Sequence, residues 1–111
     1  MTYKQVGAMV EGIGLPCAYY QFNEKTAQPC PFICWYFTGS DDLLADNTNY
    51  QKIRTLAVEL YTDVKDFTLE EQVEDALNAA GLAYSREEAW LDTQSMNMVT
   101  FTTDILIAKE T

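Results

Sequence analysis

The chain has 111 residues, 48% of them hydrophobic and 13% aromatic, enough to build one buried core and so one domain over residues 1–111. Seventeen acids against seven bases give a formal charge of −10, which repels phosphate backbones and anionic lipid and sets non-specific nucleic-acid binding aside. No apolar run approaches the ~18 residues of a bilayer span, and the N-terminus lacks the basic flank and apolar stretch of a signal peptide, so a soluble, intracellular protein is expected.

In chain order, Tyr3, Val6, Met9, Val10 and Ile13 recur at helical spacing, and Thr2 can cap and Gly14 stop the helix predicted over 3–13. The glycines of "GAMVEGIG" lie on that helix, without the preceding strand or the lysine of a phosphate loop, and are expected to allow close helix packing. "LPCAYYQF" and "PFICWYFTG" follow as two aromatic and β-branched runs around the polar "NEKTAQPCP", the pattern of a hairpin with a moderately long loop. Turn and cap residues fill "GSDDLLADNTN", and a third strand begins at "YQKIRTLAVELYT", where Leu56, Val58 and Leu60 alternate with Thr55, Ala57 and Glu59.

Asp63 and Asp66 bracket Val64 and Lys65 in a tight strand-to-helix turn. Thr68 stands three residues before Glu71, a capping box, and Leu69, Val73, Ala76, Leu77 and Ala80 form one face of a helix over 68–80 that ends at Gly81. Glu70 and Glu71 fall in its first turn, where the helix dipole favours carboxylates exposed to water. "LAYSREEAWLDT" carries Tyr84, Arg86, Glu88 and Trp90 on one face, which suits an exposed or interface-facing strand. In "NMVTFTTDILIAK", Val99, Phe101, Ile105 and Ile107 alternate with Thr100, Thr102, Asp104 and Leu106, a clean final strand. The order αβββαββ predicts an α+β fold: one mainly antiparallel or mixed sheet with two helices packed on one face.

Chemistry finds little footing. Without histidine the usual base for a Ser, Cys or Thr nucleophile is missing. Glu87 and Glu88, adjacent on a strand, point to opposite faces, so no carboxylate pair converges. Cys17, Cys30 and Cys34 are odd in number, and Cys30 and Cys34 on an extended chain lie roughly 13 Å apart at about 3.3 Å per residue, too far for a disulfide or a shared zinc. They read as small buried hydrophobes. No catalytic, cofactor-binding or metal-binding residue is assigned, and an enzyme is not expected.

Contact residues are more promising. Leu43 and Leu44 in an acidic connection either tuck back onto the core or mark a contact surface. Trp35, Tyr36 and Trp90 are either core or anchors of a subunit interface. Aromatics this dense exceed what a small core easily buries, so self-association is expected.

The succession "GLPCAYYQF", "PFICWYF", "LLADNTNY", "VELYTDVKD" and a short acidic helix ending at Gly81 resembles small proteins of the head-to-tail joining clusters of long-tailed phages and prophages, the tail terminators or tail-completion proteins. The likeness spans roughly residues 3 to 107 and rests on structural motifs alone. It implies a homo-oligomeric ring, commonly a hexamer, that caps the tail tube and docks to the head connector, without cofactor or catalytic residues. It implies a virion protein at the head-proximal end of the tail, assembled in the host cytoplasm. "LLADNTNY" and the turn holding Asp63, Lys65 and Asp66 fall at family-like positions.

Excess acid suits a ring through whose lumen DNA passes without specific binding. Six copies at −10 concentrate a formal charge of about −60, which lumen and outer surface must share and salt must screen. Asp41, Asp42 and Asp46 are candidates for a loop near an axial or intersubunit surface; the alternative is a solvated acidic surface. A different class of protein, a small acidic inhibitor that mimics DNA, also fits the charge. Lys52, Arg54 and Lys65 separate the two, since a mimic would seldom interrupt its acidic face with bases, while an oligomer can set them against a neighbour's acids.

Overall fold

The computed structural model describes residues 1–22, 29–40, 43–45 and 48–108, with the backbone course alone for 43–45 and 48–51. Helix α1 (Tyr3–Glu11) starts as the sequence indicates: Thr2 is extended, its hydroxyl accepts from the Gln5 amide, and Gln5 reaches back to the Thr2 amide, a complete capping box. Gly12 ends it two residues early, and Gly14 (φ +94°) turns the chain onward. Gly7 faces the sheet, and a methyl there would meet the Trp35 ring at 3.7 Å, an ordinary contact. Its glycine therefore answers no need for close helix packing.

Six strands follow among the described residues: β1 (Cys17–Tyr19), β2 (Phe32–Ser40), β3 (Leu43–Ala45), β4 (Thr48–Thr62), β5 (Ser85–Leu91) and β6 (Met96–Ile107), with helix α2 (Phe67–Ala79) between β4 and β5. The sheet order is β1-β2-β4-β6-β5, with β3 pairing β4 apart from that path. The fold is α+β with a mixed sheet, as expected, and carries one strand more than the sequence indicates, because Leu43–Ala45 pairs back on Thr48–Gln51 where a loop was expected.

The hairpin predicted for the first two strands is a parallel pair. Cys17, Ala18 and Tyr19 align with Ile33, Cys34 and Trp35, Ile33 N donates to Pro16 O, and Tyr20 N donates to Trp35 O. A period of two is the same read in either direction, so alternation could not distinguish the arrangements. Every other neighbouring pair in the sheet is antiparallel.

One face packs the helices. Val6 and Val10 of α1, with Val73 and Leu77 of α2, meet Ile33, Leu56, Val58, Leu60, Val99, Phe101, Ile105 and Ile107. Burial of such side chains at roughly 25 cal/mol per Å² is the main force behind the fold. The Phe37–Gly39 bulge leaves Thr38 opposite no residue and re-aims the end of β2. Strand β4 has 15 residues and, at about 3.3 Å each, matches the 49 Å long axis of the molecule. Its pairing with β2 ends at Arg54 and with β6 at Lys52, so residues 48–51 and β3 form a hairpin arm beyond both.

Helix α2 departs from the sequence reading at its start. Asp66 (φ −132°, ψ 92°) is the cap, and its carboxylate accepts from the Leu69 amide at 3.1 Å. Thr68 lies inside the first turn, out of place for a capping box, and Asp is the stronger capping residue. At the far end Gly81 (φ +74°) closes the helix, with Leu82 N donating to Leu77 O.

Candidate assembly surfaces

The strand-to-helix joint holds the densest polar cluster among the described residues. Glu70, expected in water, is 2% exposed. It shares the inward stripe of Val73 and Leu77, and a buried carboxylate needs partners. Lys65 Nζ stands 2.9 and 2.8 Å from its two oxygens and 2.8 Å from Glu88 Oε1. Arg86, reaching across from β5, hydrogen-bonds Glu70, lies 3.5 Å from Glu74, and rests its guanidinium over the Phe101 ring. Burial alone would depress the Lys65 ammonium, but its hydrogen bonds to Glu70 and Glu88 hold it above the ordinary lysine value. The Glu70 hydrogen bond likewise raises Arg86, and that from Lys65 lowers Glu88. The bases of the network are engaged by acids of the same chain, which fastens α2 to β5.

The other face of the sheet carries no helix among the described residues. There Glu59 accepts from Tyr36 Oη at 3.0 Å and Tyr61 Oη at 2.8 Å. Phe32 stacks on Tyr61 and Tyr20 on Tyr36. Burial, then the bond to Glu59, pushes both phenols up, Tyr61 far more. Beside them burial and Glu59 raise the Cys34 thiol to about 11, which keeps it protonated and inert. All three cysteines are free thiols.

An open hollow of about 280 Å³ lies among Ala83, Tyr84, Ser85, Thr102, Thr103 and Asp104. Asp104 accepts from Thr55 at 2.7 Å there, and no base faces it among these lining residues. Among the described residues no three of Cys, Asp and Glu gather as metal ligands, and no helix is long and apolar enough to cross a membrane.

The contact candidates separate into two groups at opposite ends of β4. Lys52 (exposed) and Arg54 (half-buried, donating to Ile53 O at 3.2 Å) stand near the arm. Leu43 and Leu44 belong to β3, and Asp41, Asp42 and Asp46 lie outside the described residues. At the other end Asp63 is exposed, Asp66 caps α2, Lys65 is tied to Glu70 and Glu88, and Trp90 is 54% exposed on edge strand β5. Lys65 thus meets acids of its own chain. Sequence reasoning missed Glu70, Glu74 and Arg86; the signal was the spacing 70, 73, 77, which sets Glu70 on the buried stripe.

The fold and these surfaces define a small α+β protein whose exposed features are edges, an arm and aromatic patches. No family model matches the chain, and no curated protein matches it.

Proposed function

We propose that the chain is a structural virion protein of the tail-terminator type: a ring-forming subunit, hexameric by family likeness, that caps a phage or prophage tail tube and joins it to the head connector. The observation that carries this reading is the hairpin arm. Within "LLADNTNY", part of the family likeness and already a possible contact segment, residues 43–45 form β3 and residues 48–50 the start of β4, raised beyond the helix-covered body. An element held out beyond the pairing of the longest strand with β2 and β6 suits contact with a neighbour or a docking protein. The chain works without catalysis or cofactor in this reading; Asp66 caps α2, Glu70, Glu74 and Glu88 pair with Lys65 and Arg86, and Glu59 accepts from two tyrosines. DNA passes the lumen without specific binding, repelled by the acid excess. The DNA-mimic reading is disfavoured by Lys65 and Arg86, which interrupt the acidic joint.

Native mass by light scattering across a concentration series, with negative-stain images of the heaviest species, tests this. A closed ring of about six subunits with a central hole is expected. A monomer at every concentration, alone and with tail tubes present, refutes it.

A further inference from the structure

Strand β6 outruns its neighbour. Pairing with β5 ends where Ser85 stands opposite Thr102, while β6 continues to Ile107. Further along, the Met1 amine donates to Leu106 O and Ala108 N donates to Met1 O. Strand β4 holds the other side of β6, with Ile53 opposite Leu106 and Thr55 opposite Asp104, so Met1 lies on the β5 side and Leu106 turns its main chain that way. A strand residue points its N–H and C=O to one side and the next residue points them to the other. Asp104, two residues away, therefore also turns both groups to the β5 side, and among the described residues no strand pairs with it there. Thr103 to Ile105 thus border a slot about 10 Å long at about 3.3 Å per residue, bounded by Ser85 at one end and by Met1 at the other.

The hollow described above opens on this slot: Thr102, Thr103 and Asp104 come from the end of the paired stretch of β6, and Ala83, Tyr84 and Ser85 from the chain entering β5. Its inner wall is held in place, because Thr103 Oγ1 donates to Ala83 O and the Tyr84 ring packs on Phe101 at 6.0 Å. Phe101, Thr103 and Ile105 are buried toward the helices, so Thr102, Asp104 and Leu106 stand on the other face. There Asp104 is exposed, with one carboxylate oxygen accepting from Thr55, and Leu106 is 55% exposed.

We propose that the hollow and the open edge beside it form one docking site for a short extended segment of a partner protein that carries a lysine, its main chain pairing with Asp104 and its ammonium meeting the Asp104 carboxylate. The inference goes beyond the ring reading and stands without it. An open strand edge is completed by an extended chain. A residue opposite Asp104 exchanges two main-chain hydrogen bonds with it and sets its own side chain beside the carboxylate, the position at which opposite charges stabilise a strand pair. The lysine stem lies along Leu106, as long cationic side chains cover apolar surface while their ends stay in water. The oxygens within reach of its end, the Asp104 carboxylate and the Ser85 and Thr102 hydroxyls, all accept, which suits the three donors of an ammonium. None of the six residues lining the hollow is a base, and a chain of formal charge −10 draws a cationic partner. Ser85 and Met1 limit the paired stretch, so the segment leaves the plane of the sheet at both ends, as a bent loop does and a long strand does not.

The probe is the tripeptide acetyl-Val-Lys-Val-amide, with acetyl-Val-Gln-Val-amide as its uncharged counterpart. Each is titrated into the isotope-labelled whole chain and followed by amide chemical shifts in two-dimensional NMR. The lysine peptide is expected to shift the amides of Ala83 to Ser85 and of Thr102 to Leu106 with a millimolar dissociation constant, and the glutamine peptide to bind roughly fivefold more weakly. Asp104→Asn removes the charge, and Thr55→Val removes the hydroxyl on Asp104 while keeping the charge; circular dichroism confirms that both fold. The first is expected to lose roughly fivefold in affinity for the lysine peptide, and the second to bind it as wild type does. No shift at millimolar peptide, or shifts centred elsewhere, overturns the proposal. So do equal affinities for the two peptides, an Asp104→Asn variant that binds as wild type, or an equal loss in both variants.

Discussion

Replacing Arg86 with leucine tests whether the joint network fastens α2 to β5. Glu70 is 2% exposed and has two basic partners, of which Lys65 would remain. Breaking a buried pair by removing one partner costs about 3–5 kcal/mol. Arg86 is 35% exposed and Lys65 still neutralises part of the charge, so the expected loss is about 2–3 kcal/mol. At a urea m-value of about 1.5 kcal/mol per M that lowers the unfolding midpoint by about 1–2 M, read by circular dichroism at fixed protein concentration. Because a buried ion pair is replaceable by apolar groups of similar volume, adding Glu70→Leu is expected to recover most of the loss. A double variant as unstable as the sum of the two single changes, or R86L as stable as wild type, would refute the reasoning.

Gly7→Ala is expected to raise stability by about 0.5–1 kcal/mol in a thermal melt, since the methyl meets only Trp35 at an ordinary distance and mid-helix glycine is unfavourable. Asp66→Ala should cost about 1 kcal/mol through the lost cap, and Thr68→Ala less than about 0.5; the reverse ranking in urea would restore the threonine cap. The pH profile follows from Tyr36 and Tyr61, whose values are raised on folding from the ordinary 10.0. A raised group stabilises fully below its unfolded value and loses that contribution as pH rises through the folded one. Stability should therefore fall above pH 10, more shallowly in Tyr61→Phe. Lys65, raised from 10.5 by its carboxylate partners, adds a loss of the same sign above that pH, and equal slopes in the two proteins would count against the burial of Tyr61 and its bond to Glu59.

Both helices and the last strand were legible because their burial has one period: Val6 and Val10, Val73 and Leu77, and the alternating Val99, Phe101, Ile105 and Ile107. Direction was not, since Cys17 and Tyr19 face the core equally in a parallel or antiparallel partner of β2. Strand β3 escaped because "ADNTN" is rich in turn formers and only three residues pair. Glu70 escaped for an electrostatic reason. A carboxylate in a first helical turn looks fully accounted for by the dipole, and its burial depends on Arg86, 16 residues away, returning over it on β5. Of the contact residues, Trp90 and the exposed character of its strand were readable; the slot beside Asp104 needed the strand order and register.

The N-terminal residue does something that no period shows. The Met1 amine donates to Leu106 O at 2.8 Å, and Ala108 N donates to Met1 O at 2.6 Å. Strand β5 stops at Thr102 along β6, so Met1 seals part of the stretch that β5 leaves open, a stretch that would otherwise recruit stray strands. Residues 1 and 108 thus lie side by side. A short linker could fuse them and new ends could be cut in the Asp92–Ser95 turn, giving a circular permutant in which every strand keeps its neighbours.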